Sequence, residues 1–160
     1  MVSDATFEEG AERPVFITAT DAEGLDVISA LVQDAVFPVT EMTWDRRARR
    51  FAVLLNRFRW EDRPRAEARR RPYERVQALL VMEDVTRVAS QGIDRGQPDT
   101  VLSLLRVAFE PGPEPPAGRV TLTLAGDGAI ALDVECLDAT LRDVTRPYIA
   151  PSGRAPDHGA

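Results

Sequence analysis

The sequence predicts an α+β fold: a mainly antiparallel, curled sheet of about seven strands with one N-terminal amphipathic helix packed on it. Three features carry that prediction. From Val36 onward apolar residues recur mostly with period two, the pattern of strands with a buried face. The links between successive runs are too short for parallel crossovers, so neighbouring strands must run antiparallel. Only one clear stretch, near the start, has the period of a helix.

In chain order, Met1 to Arg13 is polar and acidic and reads as a disordered tail. Val15 to Ala19 is a short strand rich in β-formers. Thr20-Asp21-Ala22-Glu23 has capping-box spacing, with Thr20 at the cap. The helix that follows puts Leu25, Ile28, Leu31 and Val32 on one face and runs to about Ala35. Val36–Trp44 and Arg49–Trp60 read as strands joined at Asp45–Ala48, which would pair Met42 with Phe51 and Thr40 with Val53. Both faces of the second strand are apolar, as expected of a strand covered on both sides.

Glu61 to Pro72 contains prolines and dense charge and reads as an exposed arginine-rich loop with at most a turn of helix around Ala66. Tyr73 to Gly92 fits either a helical stripe or two strands; two strands with a bend at Glu83-Asp84 fit better. Val101 to Phe109 is a strand, with Val101, Leu105, Val107 and Phe109 on one face and Leu102 and Leu104 on the other. In the last hairpin, partners must have numbers with an even sum if both apolar sets are to share a face. A Gly126-Asp127-Gly128 loop satisfies that, with Gly128 left-handed, Leu122 opposite Leu132 and Arg119 opposite Glu135. Leu137–Val144 adds a short strand or turn, and the chain from Pro147 reads as loose. The result is one domain over residues 14–148, of half-barrel or PH-like form, with a flexible 149–160 tail.

Composition narrows the chemistry. The 160 residues contain one cysteine, one histidine and 20 basic residues that are all arginine. A single Cys136 permits no intramolecular disulfide and no thiolate metal cage. His158 lies in a Pro/Gly/Ala tail with nothing near it to orient an imidazole. The lack of lysine removes Schiff-base chemistry and the lysine of a phosphate-binding loop. No run approaches the roughly 18 apolar residues of a membrane span, and the acidic start argues against a secretory signal. The net charge of −6 is unevenly spread: residues 1–45 carry −9, residues 46–75 carry +8 and residues 76–160 carry −5.

The runs Leu54-Leu55-Asn56-Arg57-Phe58-Arg59-Trp60-Glu61, Val101-Leu102-Ser103-Leu104-Leu105 and Leu132-Asp133-Val134-Glu135-Cys136 resemble those of a small bacterial, proteobacterial family of unknown function. Leu31-Val32-Gln33-Asp34-Ala35 is similar to that family's helix, and the resemblance spans about Val15 to Tyr148. It implies a bacterial cytoplasmic protein and carries over no catalytic residues.

Arg57-Phe58-Arg59-Trp60 is the most informative constellation. Cations beside aromatics can hold single-stranded nucleic acid, but strand alternation separates the two sets. Phe58 and Trp60 therefore read as core, with the arginines paired to carboxylates. Arg63, Arg65, Arg69, Arg70, Arg71 and Arg75 are the candidates for contacting a partner or an anion. Asp133, Glu135 and Asp138 could gather oxygens for a cation, yet Arg119 and Thr121 would face them, which fits a salt-bridged surface better. Cys136 follows the apolar alternation and reads as a buried small hydrophobe.

No cofactor is called for. With no positioned catalytic group and many two-sided apolar strands, the leading expectation is a non-catalytic binding or assembly module. It would act through a protein partner or self-association. Nucleic-acid or polyanion binding by residues 57–75 is the first alternative, and an enzyme of unknown type using carboxylates and arginines is the second.

Overall fold

The computed structural model describes residues 13–94, 96–151 and 154–156. The acidic tail expected over Met1–Arg13 lies outside them except for Arg13, and so does His158. Among the described residues, eleven strands form a mostly antiparallel open sheet: β1 (Phe16–Ala19), β2 (Val36–Pro38), β3 (Met42–Asp45), β4 (Arg50–Phe58), β5 (Glu74–Met82), β6 (Val85–Gln91), β7 (Val101–Pro111), β8 (Gly118–Leu124), β9 (Ala129–Val134), β10 (Ala139–Asp143) and β11 (Tyr148–Ile149). The order is β1-β10-β5-β4-β2-β7-β8-β9-β6, with β11 on β5 and β3 on β4. Helices are few: α1 (Ala22–Leu31) and α2 (Arg63–Ala68), with 3-10 turns at Val39–Glu41 and Trp60–Asp62. No helix among the described residues is long and apolar enough to cross a membrane.

The strand number corrects the expected seven. Pro38 has no N–H to continue a ladder, and the run read as one strand from Val36 breaks there into β2, a 3-10 turn and β3. Near the C-terminus, β11 pairs with β5 and Ala150 is buried. The stretch 73–92 is two strands, and Asp84 makes the bend at φ 57°.

Helix α1 is capped by Asp21 rather than Thr20: the Asp21 carboxylate accepts the Gly24 N–H at 2.7 Å. Its regular part ends at Leu31, short of Ala35, because Asp34 turns left-handed at φ 64° to start β2. Leu25, Ile28 and Val32 enter the core, while Ser29 Oγ accepts the Val107 N–H at 2.9 Å and ties the helix to β7. The core is otherwise built by Val53 and Leu55 of β4, Leu80 and Met82 of β5, Leu122 of β8, Leu132 of β9 and Leu141 of β10. Each such side chain contributes about 1.5–3 kcal/mol by leaving water.

Two hairpins take the expected faces in a different register. Met42 pairs with Val53 and Trp44 with Phe51, and Leu122 pairs with Ile130 and Arg119 with Asp133. Each is two residues away from the expected pairing. The second turn is Ala125-Gly126-Asp127, with Gly126 at φ 83° and Asp127 at φ 69° in the left-handed region, and Gly128 is not the bulge residue. A bulge between Leu104 and Arg106 also resets the phase of β7, burying Leu104 and Val107 and leaving Leu105 37% exposed.

Candidate functional site

Strand β4 ends at Phe58, and the residues read as an exposed loop instead form a 3-10 turn and α2 over a buried charge network. Alternation places Arg57 on the inward face after Phe51, Val53 and Leu55, so its guanidinium is buried completely. It is satisfied there: Nε and Nη2 donate to Asp143 at 2.9 and 2.8 Å, and Nη1 and Nη2 donate to Glu61 at 2.9 and 2.8 Å. Burial alone would lower the Arg57 pKa, but the hydrogen bonds to Glu61 and Asp143 raise it above the usual value. Arg59, 5% exposed, donates to Glu74 at 2.6 Å, and Arg71 binds Asp62 and Glu74. Burial would raise the Asp62 carboxyl, yet the hydrogen bond from Arg71 and the charge of Arg59 hold it below the usual range.

The six predicted contact arginines are thus not one free cationic surface. Arg71 sits in that network. Arg75 donates to the Asn56 side chain and carbonyl, and Arg63 pairs with Glu67 at 2.8 Å and lies 5.9 Å from the Trp60 ring centroid. Arg65 and Arg69 also have partners, and Arg70 is exposed at the turn after α2, at φ 53°. Phe58 is fully buried and meets Trp60 edge-on at 4.8 Å and Tyr73 at 5.6 Å. Trp60 is only half-buried; its Nε1 donates to the Gln33 carbonyl at 3.0 Å.

Cys136 departs from its expected place. Strand β9 ends at Val134, so the alternation stops and Cys136 is half-buried, its Sγ donating to Asp84 Oδ2 at 3.2 Å. Of the acids weighed as cation ligands, Asp133 meets Arg119 at 3.0 Å and Glu135 meets Arg49 at 2.7 Å.

A concavity lies elsewhere, between β3 and β6. It is a cleft of about 790 Å³, within the size range of ligand sites. Met42, Trp44, Phe51, Val85, Val88 and Ile130 give it an apolar lining. Arg46 and Arg49 from the β3–β4 turn and Arg87 from β6 add three cations, and no carboxylate among the described residues lines it. Arg49 shares its charge with Glu135, whereas Arg46 and Arg87 have no ion-pair partner among the described residues. Arg46 and Arg49 fall in the Asp45–Ala48 link and at the start of the Arg49–Trp60 strand as read from the sequence, and neither they nor Arg87 were among its candidate contact residues. The signal that could have found them was the Arg46-Arg47 pair beside Trp44, at a turn that must be exposed.

No curated protein and no protein of solved structure matches the chain. Residues 16–158 do match a family, and the chain belongs to it: Protein of unknown function (DUF2948).

Proposed function

We propose that the protein is a non-catalytic binding module whose ligand seat is the cleft between β3 and β6, and that the ligand is an anion with an apolar body. The observation that carries this reading is the pairing of an apolar floor with three arginines and, among the described residues, no lining carboxylate, in a chain of net charge −6. Apolar surface supplies affinity there, and a few placed cations supply orientation and selection by charge. Trp44 in the lining is a built-in reporter. Titration with 8-anilinonaphthalene-1-sulfonate, an amphipathic anion, should quench Trp44 and give dye fluorescence that weakens with salt. The Arg46→Ala/Arg87→Ala variant should bind at least about tenfold more weakly, equivalent to about 1.4 kcal/mol. Unchanged affinity in that variant refutes the cleft as the seat.

Self-association is a second reading, favoured by apolar side chains at the end of the sheet where β1 is the edge strand. Phe16 is 65% exposed on β1, and Val144 and Ile149 are exposed after β10 and in β11. Strand β1 pairs with β10 alone among the described residues, and an edge strand with exposed apolar groups is a surface on which a second sheet can pair. Sedimentation should then show a dimer that Phe16→Ser dissociates; a monomer in both cases ends this reading.

A further inference from the structure

We infer that the cleft's ligand is an extended acidic peptide segment, taken up as an added strand along β6; this rests on the reading of the cleft as the binding seat. The long walls of the cleft are themselves strands, and each is paired on one side only: β3 with β4 and β6 with β9, among the described residues. An edge strand turns alternate backbone N–H and C=O groups outward, and these must be met by water or by another chain. A compact ligand would fill the apolar floor and leave those groups as they are. An extended backbone satisfies them while placing alternate side chains toward the floor.

The dimensions and charges fit the same occupant. Strand β6 has seven residues, a length of about 23 Å at the rise of a strand. Its ladder to β9 slips between Val85 and Arg87 and is regular from Arg87 to Gln91, and Arg87, Val88 and Ala89 form a straight part of that edge. Most of β6 is exposed, and Val88 is half-buried toward the core. Arg87 on β6 and Arg46 on the opposite wall lack ion-pair partners among the described residues, so a segment between them meets positive charge from both sides. Peptide carboxylates complement that pair, and apolar side chains at every second position complement Trp44, Val88 and Ile130.

The test uses an eight-residue capped peptide alternating valine and glutamate, and the same peptide with alternate backbone amides methylated. Methylation removes the N–H groups a strand must donate and leaves charge and apolar side chains in place. The unmodified peptide is expected to bind, with NMR shifts concentrated in the amides of β6. The methylated one should bind at least tenfold more weakly, and Arg46→Ala/Arg87→Ala should weaken the unmodified peptide. If both peptides bind alike, or if the sulfonate dye binds and neither peptide does, strand addition is overturned while the cleft remains the seat. If neither dye nor peptide binds, the cleft reading fails as well.

Discussion

Replacing Arg57 by methionine removes the centre of the buried charge network without removing its apolar stem. Glu61 is 23% exposed and keeps Arg59 at 3.7 Å, so it can take up water when Arg57 is gone. Asp143 cannot: its side chain is 4% exposed and would keep only the Val15 N–H at 2.9 Å. Removing one partner of a buried pair strands the other charge, at a cost of about 3–5 kcal/mol. For a domain of this size that is a fall in melting temperature of about 6–20 °C, at about 2–4 °C per kcal/mol. Urea denaturation reads the free energy directly. Arg57→Met combined with Asp143→Leu strands no charge and should recover most of the loss.

The acid limb should change as well. Burial alone would raise the Glu61 carboxyl, but the hydrogen bonds and charge of Arg57 hold it below the usual range. A carboxyl depressed in the folded state adds stability above its unfolded pKa, and this is lost as pH falls through the folded value. Wild type should therefore weaken as pH drops below about 4, and Arg57→Met should lose less over the same interval. A single-variant loss below about 1 kcal/mol, or a double variant no better than the single, would refute the reasoning.

Gly126→Ala isolates backbone strain, since a Cβ there meets nothing within 4 Å while φ is 83°. The expected loss is about 1–2 kcal/mol in urea denaturation, and a neutral result would mean that the hairpin turn is not left-handed. The hydrogen bond to Asp84, with burial and the Asp84 charge adding to it, pushes the Cys136 thiol up. Iodoacetamide at pH 8 should alkylate folded protein several-fold more slowly than a free thiol, and Asp84→Asn should speed it. Asparagine tolerates the φ of 57° at that position, so equal rates in the two proteins would count against the hydrogen bond.

In the β3–β4 and β8–β9 hairpins the parity that puts apolar sets on one face was legible in the sequence, and where each hairpin sits along its partner was not. Alternation requires Met42 to lie opposite an apolar residue of the right parity, but Phe51 and Val53 both qualify. Sliding a strand by two residues leaves every side chain on its original face, so the apolar pattern is blind to the slip. The turn decides it, through left-handed residues such as Arg49 and Asp127 that carry a β-carbon and give little warning. The bulge in β7 was hidden for the same reason: Leu102, Leu104 and Leu105 are equally apolar, and only the structure shows that Leu105 faces out. In Tyr73–Gly92, by contrast, the break at Glu83-Asp84 was visible because two charged residues interrupt an apolar run.

The arginines show why a charge count locates a basic stretch but not a basic surface. Residues 46–75 carry +8, yet the acids that neutralise their inner part are Glu61, Asp62, Glu67 and Glu74 from the same stretch and Asp143 from β10. Only the Arg57–Glu61 and Arg63–Glu67 spacings hint at this; Asp143 is 86 residues from Arg57. This bears on how binding should be tested. Replacing Arg69, Arg70 and Arg71 together would remove Arg71 from the buried Asp62, so a loss of binding in that variant would follow from loss of structure. Arg46 and Arg87 are exposed and hold no carboxylate among the described residues, so their removal leaves the fold's ion pairs intact. A binding defect in the latter variant with an unchanged melting temperature is therefore attributable to the cleft, and the same defect in the former is not.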